Sequence, residues 1–172
     1  MDYSDKFDFI SQTYEMVKTE YLKNRMDNIL KHSPYSMKIN EAVFTIEEIE
    51  LYKLFNLTET VITRPVLVAE IDLDFKDQLG KTNLQRMLDG KPPIDPITDT
   101  VYIIHHIGQK YDAPFAEISK HFHSKKFYSV LHKKHIDSWR ADRNLVSLTN
   151  SEFARHWQLR GKQYNDSEQL GT

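Results

Sequence analysis

Six of the eight histidines in this 172-residue chain fall between His105 and His135, and two of them, His105 and His106, are adjacent. Imidazole changes charge near neutral pH and is the commonest metal ligand among side chains. An adjacent pair at a strand end, followed by a turn, a short returning strand and a helix bearing further histidines, suits metal-assisted phosphodiester hydrolysis. One ring can hold a divalent cation while its neighbour takes a proton from water. Neighbours on an ideal strand point to opposite faces; Gly108 allows the strand to end and twist just beyond His106. Further on, His123 and His132 are nine residues apart, about 900° around a helix and so on opposite sides of a straight one. Either the helix breaks between them or one is not a ligand. His121, Tyr128, His132 and His135 would share a single face, which makes His121 the competing ligand.

The elements that must position these rings are legible from punctuation and periodicity. Thr100 to Ile107 is β-branched and aromatic and reads as a strand closed by Gly108. Pro114 to Ile118 is the returning strand, with Ser119 as N-cap of the helix beginning at Lys120. A short helix is expected over 83–88, stopped by Gly90 and followed by a rigid loop holding Pro92, Pro93 and Pro96. Thr149 and Glu152 form a capping-box pair for a C-terminal helix through Phe153 and Trp157 to about Gln163. Upstream, Ile10, Tyr14, Val17, Tyr21, Leu22, Met26, Ile29 and Leu30 make an apolar stripe on one long helix ending at His32-Ser33-Pro34, read as core. Thr45 and Glu48 cap a second helix over 46–56, and Pro65 reduces the stretch from Thr60 to Ala69 to an edge strand or two short pieces.

Composition narrows the class. With 40% hydrophobic and 28% charged residues the chain is that of an ordinary folded protein. Zero cysteines exclude disulfides and thiolate zinc sites. No signal peptide is expected, and no apolar run approaches a membrane span. The net charge of -2 hides a gradient. Residues 41–80 hold nine acidic and three basic side chains, whereas 105–143 hold eight Lys or Arg against four Asp or Glu. Within the basic stretch Lys120, Lys125, Lys126, Lys133, Lys134, Arg140 and Arg143 are candidates to neutralise phosphates.

The run Gly80-Lys-Thr-Asn83-Leu-Gln-Arg86-Met87-Leu-Asp-Gly90-Lys-Pro-Pro93, then Ile104-His105-His106-Ile-Gly-Gln109, Pro114-Phe-Ala-Glu117-Ile, His123 and Leu131-His132, resembles the LHH group of the HNH/endonuclease VII nuclease superfamily. The tail from Ser151 to Arg160 is similar to that family's aromatic and basic C-terminal helix. Ile104 stands where the family carries Leu, and the interval from His123 to His132 is about one residue longer than the family's. These are bacterial nucleases found chiefly as toxin domains of polymorphic toxin systems. The resemblance implies His105 as metal ligand, His106 as general base, and His123 and His132 as further ligands. It also places Glu117 and Gln109 in the catalytic apparatus, Glu117 by orienting a ligating histidine. Asn83, Arg86, Lys110, Lys125 and Lys126 become candidate substrate-binding residues.

The expected fold is α+β, mostly helical with a small ββα-metal core. Residues 1–74 form a helical region that packs or docks, 75–165 the nuclease domain and 166–172 a disordered tail. The expected chemistry is a metal-dependent endonuclease using one divalent ion (Mg, Mn, Zn or Ni), with DNA favoured over RNA and weak sequence preference. A toxin or defence role follows, in the cytoplasm or delivered into a target cell's, with a cognate immunity protein or a carrier as partner and no membrane association. The alternative is a non-catalytic His-rich module that binds metal or nucleic acid.

Overall fold

Pro65 splits the β-branched stretch into two antiparallel pieces, β1 (Thr58–Val61) and β2 (Pro65–Val68), because its ring removes a ladder donor and fits only where a strand begins or is unpaired. The computed structural model describes residues 3–133 and 139–170, with side chains over 12, 15–124, 126–133 and 139–166. Upstream lie α1 (Tyr3–His32), α2 (Met37–Ala42) and α3 (Ile46–Leu54). Downstream come α4 (Asn83–Leu88), β3 (Ile94–Asp95), β4 (Thr100–His106) and β5 (Phe115–Ser119). A π turn (Phe122–Lys126), α5 (Tyr128–Leu131) and α6 (Arg143–Leu170) complete the chain. Helix accounts for 54% of it, and the α+β class stands.

The five strands form one sheet in the order β1-β2-β5-β4-β3. β4 and β5 are antiparallel, with His105 opposite Ala116 and His106 opposite Phe115. β2 joins β5 in parallel through Val66 and Leu67. The sheet therefore crosses the boundary expected near residue 75, and residues 58–68 share it with the histidine pair. Phe115, Leu67 and Ile118 of this sheet and Ile107 just past β4, with Tyr52, Ile49, Ile39 and Ile29 of the upstream helices, form one core.

α4 has the expected bounds, and its cap is a complete box: Thr82 Oγ1 accepts from Gln85 N while Gln85 reaches back to Thr82 N. Gly161 on α6 lets α4 approach closely, since a Cβ there would stand 3.0 Å from Leu88 N. Thr45 caps α3 by accepting from Glu48 N at 3.3 Å, but the Glu48 carboxylate accepts from Phe44 N rather than Thr45 N. Glu48 is wholly buried and takes the Tyr52 hydroxyl at 2.5 Å. Burial raises its pKa to about 7, and the same burial with Glu48 beside it raises Tyr52 well above the usual phenol range.

Several expectations need correcting. Thr149 does not cap α6; it lies within the helix and its hydroxyl donates to Leu145 O at 2.8 Å. The helix opens earlier, where Asp142 Oδ1 accepts from Asn144 N and Leu145 N. Glu152 pairs with Arg64 instead. Ser119 is no cap either, being buried in β5 with its hydroxyl against Thr98 and Thr100. α6 runs to Leu170, through most of the expected tail. Among its described residues the apolar stripe of α1 is mostly not core: Ile29 is fully buried, while Val17, Tyr21, Leu22 and Leu30 are exposed; the side chains of Ile10 and Tyr14 lie outside the described residues.

Candidate metal centre

Strand alternation separates the histidine pair. His106 shares its face with its cross-strand partner Phe115, ring centroids 4.8 Å apart, and is closed in by Trp139 at 4.9 Å and Phe153 of α6 at 5.7 Å. His105 meets His123 and His132, with ring centroids 5.1 and 5.2 Å away. Both rings of the pair are 4% exposed. The turn that ends β4 is tight: Gly108 has φ +72°, and a Cβ on it would meet Ala42 O at 2.3 Å, so α2 packs directly against the turn. No L side chain fits that approach.

His123 and His132 reach the same place because the helix does break. Phe127 N donates to Phe122 O, closing a π turn that holds one residue more than an α turn. Phe127 then leaves helical geometry, α5 supplies one further turn, and His132 follows in extended backbone. The His132 ring stacks on Tyr128 at 4.2 Å, and its Nδ1 donates to Tyr128 O at 3.2 Å. That bond fixes the tautomer and frees Nε2 as a ligand. Gln109, at φ +58°, accepts from Lys133 N at 2.5 Å and so ties the chain just past His132 to the turn just past His106.

One ligand nitrogen from each of His105, His123 and His132 lies within 4.8 Å of the others. His105 Nδ1 and His123 Nε2 are 3.1 Å apart. Two imidazole nitrogens each about 2.0–2.1 Å from one ion stand roughly 3 Å apart, so this spacing fits shared coordination. The electrostatics agree. Burial, then repulsion from His123 and His132, holds His105 well below the usual imidazole range. Burial lowers His123 and His106 to about 4, and His132 is also lowered. All four rings feel the positive charge of Arg140, which lies over the Trp139 ring at 4.8 Å. Neutral imidazole is the ligating form and the proton-accepting form.

The other sequence-derived candidates lie elsewhere. Glu117 is wholly buried and orients no member of the cluster; it accepts from His156 Nε2 at 2.7 Å and Ala69 N at 3.0 Å, beside Arg160 Nε at 3.2 Å. Asn83 is buried with both amide atoms engaged by the backbone of Asp72 and Ile94. Arg86 is held by Asp77 and Pro92 O. Gln109 braces the turn through its side-chain bond to Lys133 N. His121 is exposed and stands against Phe122, outside the cluster. Lys110, Lys120, Lys126, Arg140 and Arg143 are exposed and Lys133 half-buried, while His135, Lys134 and the Lys125 side chain lie outside the described residues.

Two features escaped the sequence reading. His156 and Arg160 are spaced i, i+4 on α6 and both face Glu117, a spacing that could have disclosed them. Arg64, over the Phe115 ring at 4.3 Å and bonded to Tyr111 O, Ala113 O and Glu152, had no local signal.

Residues 82–163 match the family model described as LHH, a nuclease of the HNH/ENDO VII superfamily with conserved LHH. The Leu position of that motif is Ile104, an aliphatic 4% exposed in the core. No solved structure matches the chain.

Proposed function

Because residues 82–163 match the model of the LHH nucleases of the HNH/ENDO VII superfamily, we propose that the chain is a metal-dependent endonuclease whose ion is held by His105, His123 and His132. The convergence of these three imidazoles carries the reading. Bound there, a divalent cation would stabilise negative charge building on the phosphate and the leaving oxygen. Three imidazoles with no carboxylate favour Mn, Ni or Zn over Mg, which prefers oxygen ligands.

His106 takes a proton from the attacking water. Among the described residues neither of its ring nitrogens has a hydrogen-bond partner, so a lone pair is uncommitted. Trp139 covers the ring and Arg140 follows it in the chain, so a phosphate approaching His106 meets the positive charge of a guanidinium. Lys110, Lys126 and Lys133 can neutralise flanking phosphates without reading bases, which supports weak sequence preference. DNA as substrate, a toxin or defence role in a target cell's cytoplasm and a cognate inhibitor rest on the resemblance to toxin nucleases. Among the described residues no helix is long and apolar enough to cross a membrane.

The test is incubation of the full chain with supercoiled plasmid, linear duplex, single strands and RNA under Mn, Ni, Zn or Mg, with and without EDTA. Duplex cleavage abolished by EDTA is expected. Intact plasmid under every metal would overturn the reading, and cleavage confined to RNA would overturn the substrate.

A second reading, a non-catalytic metal module, draws on the enclosure of His106 by Phe115, Trp139 and Phe153. It requires that loss of the His106 nitrogens leave any cleavage unchanged.

A further inference from the structure

The first part of α1 carries an apolar seam at helical spacing. Tyr3, Phe7, Ile10, Tyr14, Val17 and Tyr21 follow one another at alternating steps of four and three residues within a single helix. That is the a/d pattern of a helix paired with another helix, not the broader stripe of a helix lying on a globular core. Where its side chains are described the seam is open: Val17 is 57% and Tyr21 68% exposed. α1 meets its own domain on another face and further along, where Arg25 and Met26 are half-buried and Ile29 fully buried beside α2 and α3. At about 100° per residue that face lies roughly a quarter turn from the seam.

We propose that this seam pairs with the same seam of a second copy, antiparallel, to form a homodimer through α1. A two-fold axis makes the contact self-complementary and closed. Antiparallel pairing sets Tyr14 in layer with Ile10 of the second copy and Val17 with Phe7, so aromatic rings meet aliphatic side chains. Parallel pairing would stack Phe7, Tyr14 and Tyr21 each on its own copy. The antiparallel register also places Lys6 beside Glu20 of the second copy at both ends of the seam, with Thr13 beside Thr13 at the centre. No like charges face each other. Residues 3–32 carry five basic and five acidic side chains, so two such helices approach without net repulsion. Four aromatic residues from each copy, burying about 150 Å² apiece, bring the contact into the roughly 1,200–2,000 Å² range of a stable specific interface.

The test is sedimentation of the full chain over a dilution series, beside Val17→Asp and Tyr21→Asp. Both side chains are exposed within one copy, so the variants should keep the native tryptophan fluorescence of the domain. The wild type should sediment at twice 20.4 kDa, and either variant should raise the dissociation constant about 100-fold or more by forcing a charge into an apolar seam. The chain has no cysteine, so orientation can be read by oxidation. Thr13→Cys should cross-link to itself, and Lys6→Cys to Glu20→Cys in a mixture of the two. A monomeric wild type, or a dimer indifferent to both aspartates, would overturn the proposal; self-linking of Lys6→Cys alone would overturn the antiparallel register.

Discussion

His105 Nδ1 faces His123 Nε2 at 3.1 Å across 18 residues of chain, and His132 closes the same small triangle. Three uncharged imidazoles from a strand, a π turn and the end of a helix meet at one point. An isolated ring in that position would be satisfied by a single donor or water; three ligand nitrogens this close suit a shared divalent cation.

Replacing any one of the three by Ala should therefore weaken divalent binding by more than the about 10–100-fold that loss of a merely supporting partner costs. Isothermal titration with Ni or Zn measures this. His121→Ala, outside the triangle, should leave affinity within twofold. Thermal stabilisation by saturating metal, which follows the affinity for the folded state, should disappear in the three ligand variants and survive in the fourth.

His106 sits among aromatic rings, so His106→Phe keeps its packing while removing both nitrogens. Metal affinity should hold and the melting temperature should hold or rise, since a buried polar ring without partners is lost. Plasmid cleavage should fall about 10²–10⁴-fold, the usual contribution of a general base. Cleavage at the wild-type rate would remove His106 from the chemistry.

The depressed imidazoles set an acid limit. In the metal-free protein His106 and His123 titrate near 4 when folded, against about 6.5 when unfolded. The unfolded chain then binds more protons between those values, so stability is fully present above pH 6.5 and is lost as pH falls toward 4. Urea titrations of metal-free protein from pH 7 to 4 should show the decline, and His106→Phe should lessen it. At pH 7 the rings carry no proton for a metal to displace, so binding heats should be the same in buffers of different ionisation enthalpy.

Glu48 runs the other way. Its carboxyl titrates near 7 when folded and near 4.5 when unfolded, so the benefit of burying it neutral is complete below pH 4.5 and is lost as pH rises through 7. Glu48→Gln keeps hydrogen-bonding atoms beside Tyr52 and Phe44 and removes the ionisation. It should leave stability near pH 4.5 unchanged and add about 2–3 kcal/mol at pH 8. A variant that is less stable at pH 8 would show that the carboxylate is held charged.

Local signals were sufficient where one element carried its own punctuation. Thr82 to Gly90 encodes α4, and Thr100 to Gly108 encodes the strand bearing both histidines. The residues that converge were also legible as types: His105, His123 and His132, each a candidate ligand from the sequence, lie in one cluster. What the sequence concealed was geometry set by non-local contacts. The nine-residue interval that argued against His132 is resolved by a π turn, whose one extra residue has no compositional mark. Asn83, Arg86, Glu117 and Gln109 sit in the right blocks, but their partners are backbone atoms and side chains distant in sequence. The α1 stripe reads as core in sequence because apolar periodicity marks a face without naming what, if anything, packs on it.

The parallel pairing of β2 with β5 bears on how this domain could be moved between proteins. The span that matches the LHH family model starts at residue 82, yet β5 takes its outer neighbour from residues 65–68, and Glu117 and Arg160 are satisfied by Ala69 N and O. A shuffled gene carrying residue 82 onward alone would deliver a sheet with an open inner edge and a buried carboxylate short of a donor. Recombination that yields a working enzyme must break the chain before Thr58, or land next to a host segment able to lend a strand, so the transferable unit is larger than the shared one.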